Sequence, residues 1–265
     1  MAKSNDHVSA FPKLSSPSIS ATAKAVANST EAIPALPTKP KQTVEHIVLF
    51  KMKEGYKDYE TFIDAMNSLK CLPGVLYLSS GYIKDIHHPT DGFNVFLHSR
   101  HATKEHLDKY MGHRLKYAFT MTYTEPYYQD YQIIDYVHEH DSPIVHPAKG
   151  TALRTVFYKL KDGWGPSDKE KAIKVAKEHL PGAIDQQTFG DSYEGTTYRA
   201  AHKGYQVGVL GLFPGVADLK RLKSPKEFAK ELERKLQGTL VPEGGVIVVD
   251  YEVKVAYDGN RDNLI

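Results

Sequence analysis

Along this chain the hydrophobic pattern changes period several times. "VEHIVLFKMKEG", beginning at Val44, alternates. Val44, His46, Val48, Phe50 and Met52 share one face of an extended strand, because successive side chains point to opposite sides. Residues 58–70 switch to three- and four-residue spacing, with Phe62, Ala65, Met66 and Leu69 on one side of a helix that "LPG" stops. Residues 75–84 predict a second strand, "HHPTDG" a turn around Asp91 and Gly92, and residues 93–99 a third strand. Residues 103–119 predict a second helix with Thr103 as N-cap, and residues 131–137 a fourth strand. The order is βαββαβ, the split βαβ pattern.

The pattern then repeats. "ALRTVFYKLKDG" from Ala152 matches the opening strand at an offset of 108 residues, as Gly55 and Gly163 show. "LPGV" from Leu72 and "LPGA" from Leu180 keep that offset. "GFNV" from Gly92 meets "GYQV" from Gly204, and "IIDY" from Ile133 meets "VVDY" from Val248. Blocks in one order with slowly growing offsets indicate duplication with small insertions. The second unit predicts a strand over 152–161, a helix over 166–179, two strands within 184–213, a helix over 224–237 and a last strand over 246–255. Where the first unit carries His46, the second carries Arg154.

A four-stranded antiparallel sheet with helices on one side must bury its other side. The second copy supplies the partner, and pairing also removes sheet edges. The expected fold is therefore α+β: two ferredoxin-like domains pairing through antiparallel sheets within one chain. The predicted boundaries are a first domain at 43–140, a linker at 141–150, a second domain at 151–258 and a tail at 259–265. Residues 1–42 are rich in Ser, Ala, Thr and Pro. They are expected to form either a disordered tail or a plastid-type transit peptide. The expected location is cytoplasmic, or plastid if that segment is a transit signal.

Of 265 residues 41% are hydrophobic and 25% charged, enough for packed cores, and the net charge of +2 argues against a nucleic-acid partner. No apolar run approaches 18 residues, so no membrane span is predicted. The single cysteine, Cys71, allows no internal disulfide and is expected to pack. "HEHDSPIVH" places His138 and His140 on one face of a strand end with His146 nearby; they are expected to be solvated, with a metal site as the alternative. Tyr198 and His202 of the second unit are expected at the surface, with a remnant site as the alternative. No metal or cofactor is predicted.

The opening strand resembles that of the stress-responsive dimeric α/β-barrel (Dabb) domains. "YMGHRLKYAF", from Tyr110 to Phe119, is similar to their Tyr-x-x-His-Pro-x-His-x-x-Phe helix motif. The resemblance covers roughly residues 44–138 and reaches the second unit only through the repeat. It implies a sheet-to-sheet pair made here inside one chain, with further homo-oligomerisation left open. The family includes a plant polyketide cyclase that closes its substrate by aldol condensation without a cofactor. By this resemblance His46, Tyr110 and His113 match family positions. Lys116 stands where that cyclase has its general base.

Spacing adds its own argument. Tyr110, His113 and Tyr117 lie three and four residues apart, hence on one side of a continuous helix. Facing the strand, they would join His46 over a wall of Val48 and Phe50. Two imidazoles and two phenols in an apolar space suit a small hydrophobic or phenolic ligand. The expected catalytic set, should the pocket turn a substrate over, is His46, Tyr110, His113 and Lys116; Val48, Phe50 and Tyr117 are expected ligand contacts. Histidine suits proton abstraction beside a carbonyl, and tyrosine suits stabilising the resulting oxyanion. Binding without turnover and cofactor-free cyclisation or isomerisation both remain open at this level.

Overall fold

The structure, a computed structural model, describes residues 42–139, 146–183, 185–191 and 203–254. The expected N-terminal tail up to residue 41, His140, Tyr198, His202 and the C-terminal tail lie outside the described residues. The first unit runs β1 (Gln42–Met52), α1 (Tyr59–Ser68), β2 (Val75–His87), β3 (Phe93–His101), α2 (Lys104–Gly112), α3 (Arg114–Phe119) and β4 (Tyr128–Glu139). The second runs β5 (Ala152–Tyr158), α4 (Pro166–Glu178), β6 (Asp185–Asp191), β7 (Val207–Phe213), a single turn α5 (Val216–Leu219), α6 (Pro225–Lys235) and β8 (Val246–Glu252).

Local chemistry fixes the helix starts. Asp58 accepts from the Thr61 amide at 3.2 Å, and Thr103 from the His106 amide at 3.2 Å. Ser224 and Glu227 close a capping box on α6. The duplication extends to matched contacts. The Met52 amide donates to Asn94 Oδ1 at 3.4 Å, and its counterpart, the Leu160 amide, donates to Gln206 Oε1 at 2.8 Å. Gly92 and Gly204 both have positive φ (+97° and +84°), and a Cβ on either would come within 2.8 and 2.9 Å of Lys51 and Lys159 respectively. Only glycine meets both demands at little cost.

All eight strands form one antiparallel sheet in the order β4-β1-β3-β2-β8-β5-β7-β6. The units join where β2 pairs with β8, from Ile83 opposite Tyr251 to His87 opposite Val248. The duplication makes β4 and β6 the counterparts of β8 and β2, and these two strands also lie side by side, so the sheet curls on itself. Both repeats belong to one compact unit. The inner face of the sheet is a shared core. Ile47, Leu49, Phe96 and Ile134 of the first unit meet Leu153, Phe157, Leu210 and Ile247 of the second. At about 1.5–3 kcal/mol for each such side chain, neither unit can leave this face in water. Tyr136 of the first unit lies over Gly208 of the second, 2.8 Å from where a Cβ would stand.

Three expectations are corrected. The helix expected over 103–119 is broken at His113, whose φ of −67° and ψ of 130° are extended, giving separate α2 and α3. β4 runs on to Glu139, so His138 is a buried sheet residue instead of a solvated linker residue, while His146 stacks on Tyr77 with ring centroids 6.1 Å apart. Cys71 is exposed, at the end of a short 3-10 turn that carries it off the core side of α1.

Candidate functional site

The helix-facing side of β1 presents Val44, His46, Val48 and Phe50, as strand alternation requires. His46 lies opposite Ser99 on β3 and Asp135 on β4. Its Nδ1 donates to Asp135 Oδ1 at 2.6 Å, with both side chains at most 3% exposed. A carboxylate can only accept, so Nδ1 carries the proton and Nε2 remains the basic ring nitrogen. Asp135 Oδ2 is buried and has no hydrogen-bond partner among the described residues.

Two further rings complete this end. Tyr110 descends from α2 with its ring 6.1 Å from that of His46. His101, from β3, stands 4.8 Å from Tyr110 and 6.3 Å from His46, and its Nε2 meets Ser99 Oγ at 3.1 Å. Burial, reinforced by the neighbouring His46, holds His101 well below the ordinary imidazole range and keeps it neutral. Burial raises the Tyr110 phenol above its ordinary value, so its hydroxyl stays protonated.

The break at His113 decides what else reaches the site. The His113 imidazole accepts from the Leu115 amide at 3.2 Å and so caps α3. One extended residue redirects the following helix. Lys116 therefore turns toward the cavity, with Nζ 5.3 Å over the Tyr110 ring. Lys116 is half-buried, and desolvation draws its ammonium down to about 8, with the charge of Asp135 pulling the other way. Tyr117 is 65% exposed and points away. The structure thus brings together His46, Tyr110, Lys116, Val48 and Phe50. His113 and Tyr117 do not line the cavity, because the continuous helix behind their grouping does not form.

The cavity measures about 90 Å³. Val48, Phe50, Leu97 and Ile133 from the sheet and Met66 and Leu69 from the α1 side give it apolar walls, with His46, Tyr110 and Lys116 as polar groups. Met111, Tyr128 and Tyr131 are only partly buried and mark its mouth. Sequence reasoning missed Asp135 and His101. For Asp135 a signal existed: "IIDY" and "VVDY" both place an acid inside an otherwise apolar strand.

The duplicate explains Arg154. Asp250 is the repeat counterpart of Asp135, and Arg154 grips it bidentately, Nε to Oδ1 at 2.7 Å and Nη2 to Oδ2 at 2.6 Å. Arg154 Nη1 also donates to the Lys223 carbonyl at 2.7 Å, and its guanidinium lies 5.2 Å from the Phe228 ring. Gly211 and Phe213 replace Ser99 and His101 on the neighbouring strand. The counterpart carboxylate is thus satisfied by a larger side chain, the Arg154 guanidinium. The helix side of this unit includes a cluster of buried residues, among them Val156, Tyr158, Ala172, Phe228 and Leu232.

A second polar group, also missed, lies on the opposite, inner face. Glu45 accepts from His98 Nε2, from Arg100 Nε at 2.8–3.0 Å and from Thr43 Oγ1 at 3.2 Å. Burial opposes ionisation of Glu45, but Arg100 and His98 outweigh it and hold the carboxyl well below the usual range. Burial lowers His98 against the pull of Glu45. The repeat counterparts of these three residues are Leu153, Leu210 and Leu212, so the second unit is apolar where the first is charged.

The stress responsive A/B barrel domain model matches residues 44–138. A stress-response A/B barrel domain-containing protein of Arabidopsis thaliana is 27% identical over 221 residues, 82% of this chain and 81% of that protein. Among solved structures, an anthrone oxidase-like protein aligns with a TM-score of 0.52 at 13% identity, over 83% of this chain and 94% of its own. A Dabb family protein with a ferredoxin-like fold from Mesorhizobium loti aligns with a TM-score of 0.32 at 19% identity, over 39% of this chain and 99% of its own. At 13% identity the likeness to the anthrone oxidase-like protein speaks to fold alone. Residues 44–138, the first unit, thus match the stress responsive A/B barrel domain, and the chain as a whole is similar to a stress-response A/B barrel domain-containing protein.

Proposed function

We propose that the first-unit pocket binds a small hydrophobic or phenolic molecule, in a protein with a stress or defence role. The observation that carries this reading is an apolar cavity with convergent polar groups: the His46–Asp135 pair, the protonated Tyr110 hydroxyl and the Lys116 amine. Such a mixture holds and orients a small molecule. The size favours a single ring or a short chain, since a dry cavity of about 150 Å³ admits benzene and this one is about 90 Å³. A ring therefore sits with one edge at the mouth by Met111 and Tyr131. Titrating the full chain with p-cresol and related single-ring phenols by calorimetry tests the reading. Val48→Trp fills the cavity and should weaken binding at least tenfold, about 1.4 kcal/mol. Absence of binding across the series, or binding indifferent to Val48→Trp, removes it.

A second reading is a cofactor-free polyketide cyclase or isomerase. It is favoured by the His46–Asp135 pair, which leaves Nε2 free to take a proton beside a carbonyl, with Tyr110 donating to the developing oxyanion. Incubation with short poly-β-keto substrates should then give cyclised product, reduced about 10²-fold or more by His46→Ala. No product from the unaltered protein removes this reading and leaves the binding role intact.

A further inference from the structure

We propose that Lys116 is a carbonyl-capturing amine: the first-unit pocket takes a short-chain or single-ring aldehyde or ketone and holds it covalently as a Schiff base on Nζ. This deepens the ligand-binding reading and rests on it. Three observations carry it. Lys116 borders the cavity beside His46 and Tyr110. Its Nζ makes no hydrogen bond or ion pair among the described residues, and its contact is the Tyr110 ring at 5.3 Å. The acid whose charge it feels, Asp135, already gives Oδ1 to His46. By contrast Lys203, Lys223 and Lys254 each sit on a carboxylate. Burial draws Lys116 to about 8, so roughly one molecule in ten carries the neutral amine at pH 7 and about half at pH 8.

The chemistry closes without a further reagent. The Nζ lone pair attacks the carbonyl carbon, and the π pair moves to oxygen, which takes the proton of the Tyr110 hydroxyl. His46 Nε2 removes a proton from the new ammonium, giving a neutral carbinolamine. His46 returns that proton to the hydroxyl, which leaves as water while the nitrogen lone pair forms C=N. The product is a protonated imine beside the Asp135 carboxylate, and Tyr110 regains its proton from solvent. Overall, amine, carbonyl and a proton become iminium and water. The elements are those of activated lysines elsewhere: a desolvated amine, a proton shuttle and a donor for the developing alkoxide.

The test uses the full chain, 4-hydroxybenzaldehyde and sodium cyanoborohydride at pH 8, with peptide mass mapping. Lys116 should acquire the reduced adduct at least tenfold faster than the exposed Lys174, and His46→Gln should slow that labelling about tenfold. Lys116→Met should abolish it. p-Cresol, which matches the probe in size but has no carbonyl, is titrated into the same proteins. Binding of p-cresol to the unaltered protein without preferential labelling of Lys116 overturns the covalent step and spares the pocket reading. Failure of both overturns the two together. A far-ultraviolet circular dichroism spectrum and urea midpoint of Lys116→Met that match the unaltered protein show that its loss of labelling is not misfolding. Should Lys116→Met prove less stable, Lys116→Arg takes its place, with the same loss of adduct expected.

Discussion

Glu45→Leu gives the first unit the residue that the second unit has at the same place, Leu153. Arg100 and His98 are fully buried and lose their shared acceptor, and Thr43 Oγ1 loses its bond to it. Removing the carboxylate from a buried ion pair costs about 3–5 kcal/mol. At about 2–4 °C per kcal/mol for a domain of this size, the melting temperature should fall by about 6–20 °C. The triple variant Glu45→Leu, His98→Leu, Arg100→Leu installs the full set of the second unit, Leu153, Leu210 and Leu212. With no ion left to desolvate, it should be near neutral and can gain up to about 1–4 kcal/mol, although leucine fills less space than arginine. Urea denaturation followed by far-ultraviolet circular dichroism, with midpoints and slopes for both variants, measures the difference. A triple variant as unstable as the single one would refute the reasoning. The ion network would then supply net stability beyond what leucine packing replaces.

Other outcomes follow from the same geometry. His98 and His101 are kept neutral by burial, so the unfolded chain binds protons before the folded one, and stability should fall as pH drops below about 6.5, as urea midpoints across pH will show. A second fall should begin below about 4.5, where unfolded chains protonate Glu45 and folded ones resist. His101→Phe, which copies Phe213, should shrink the first fall. His46→Arg, which copies Arg154, should pair with Asp135 and fill the polar end of the cavity. Calorimetry should show p-cresol binding weakened more than tenfold, with a melting temperature above that of His46→Ala, which leaves the buried Asp135 unpaired at about 1–3 kcal/mol or more. Gly208→Ala drives a Cβ to 2.8 Å from the Tyr136 ring and should destabilise by about 1–3 kcal/mol in denaturant titrations.

The sequence by itself determined the strand and helix order, the duplication and the covering of each unit's open sheet face by the other unit. Period-two alternation assigns Val44, His46, Val48 and Phe50 to one face regardless of context, and a sheet with one helical side must bury the other. It also placed the N-cap at Thr103, because capping is a contact across three residues. Tertiary structure decided which polar groups meet. Asp135 is 89 residues from His46, and cross-strand register alone makes them a pair. The break at His113 is likewise invisible to spacing. Tyr110, His113 and Tyr117 fit a continuous helix, and one extended residue separates them, turning Lys116 inward. Glu45, His98 and Arg100 lie on three separate positions of β1 and β3, and only the folded sheet brings them together and buries them. Pattern reports which side a residue occupies, while burial and partnership depend on what the rest of the chain brings to that side.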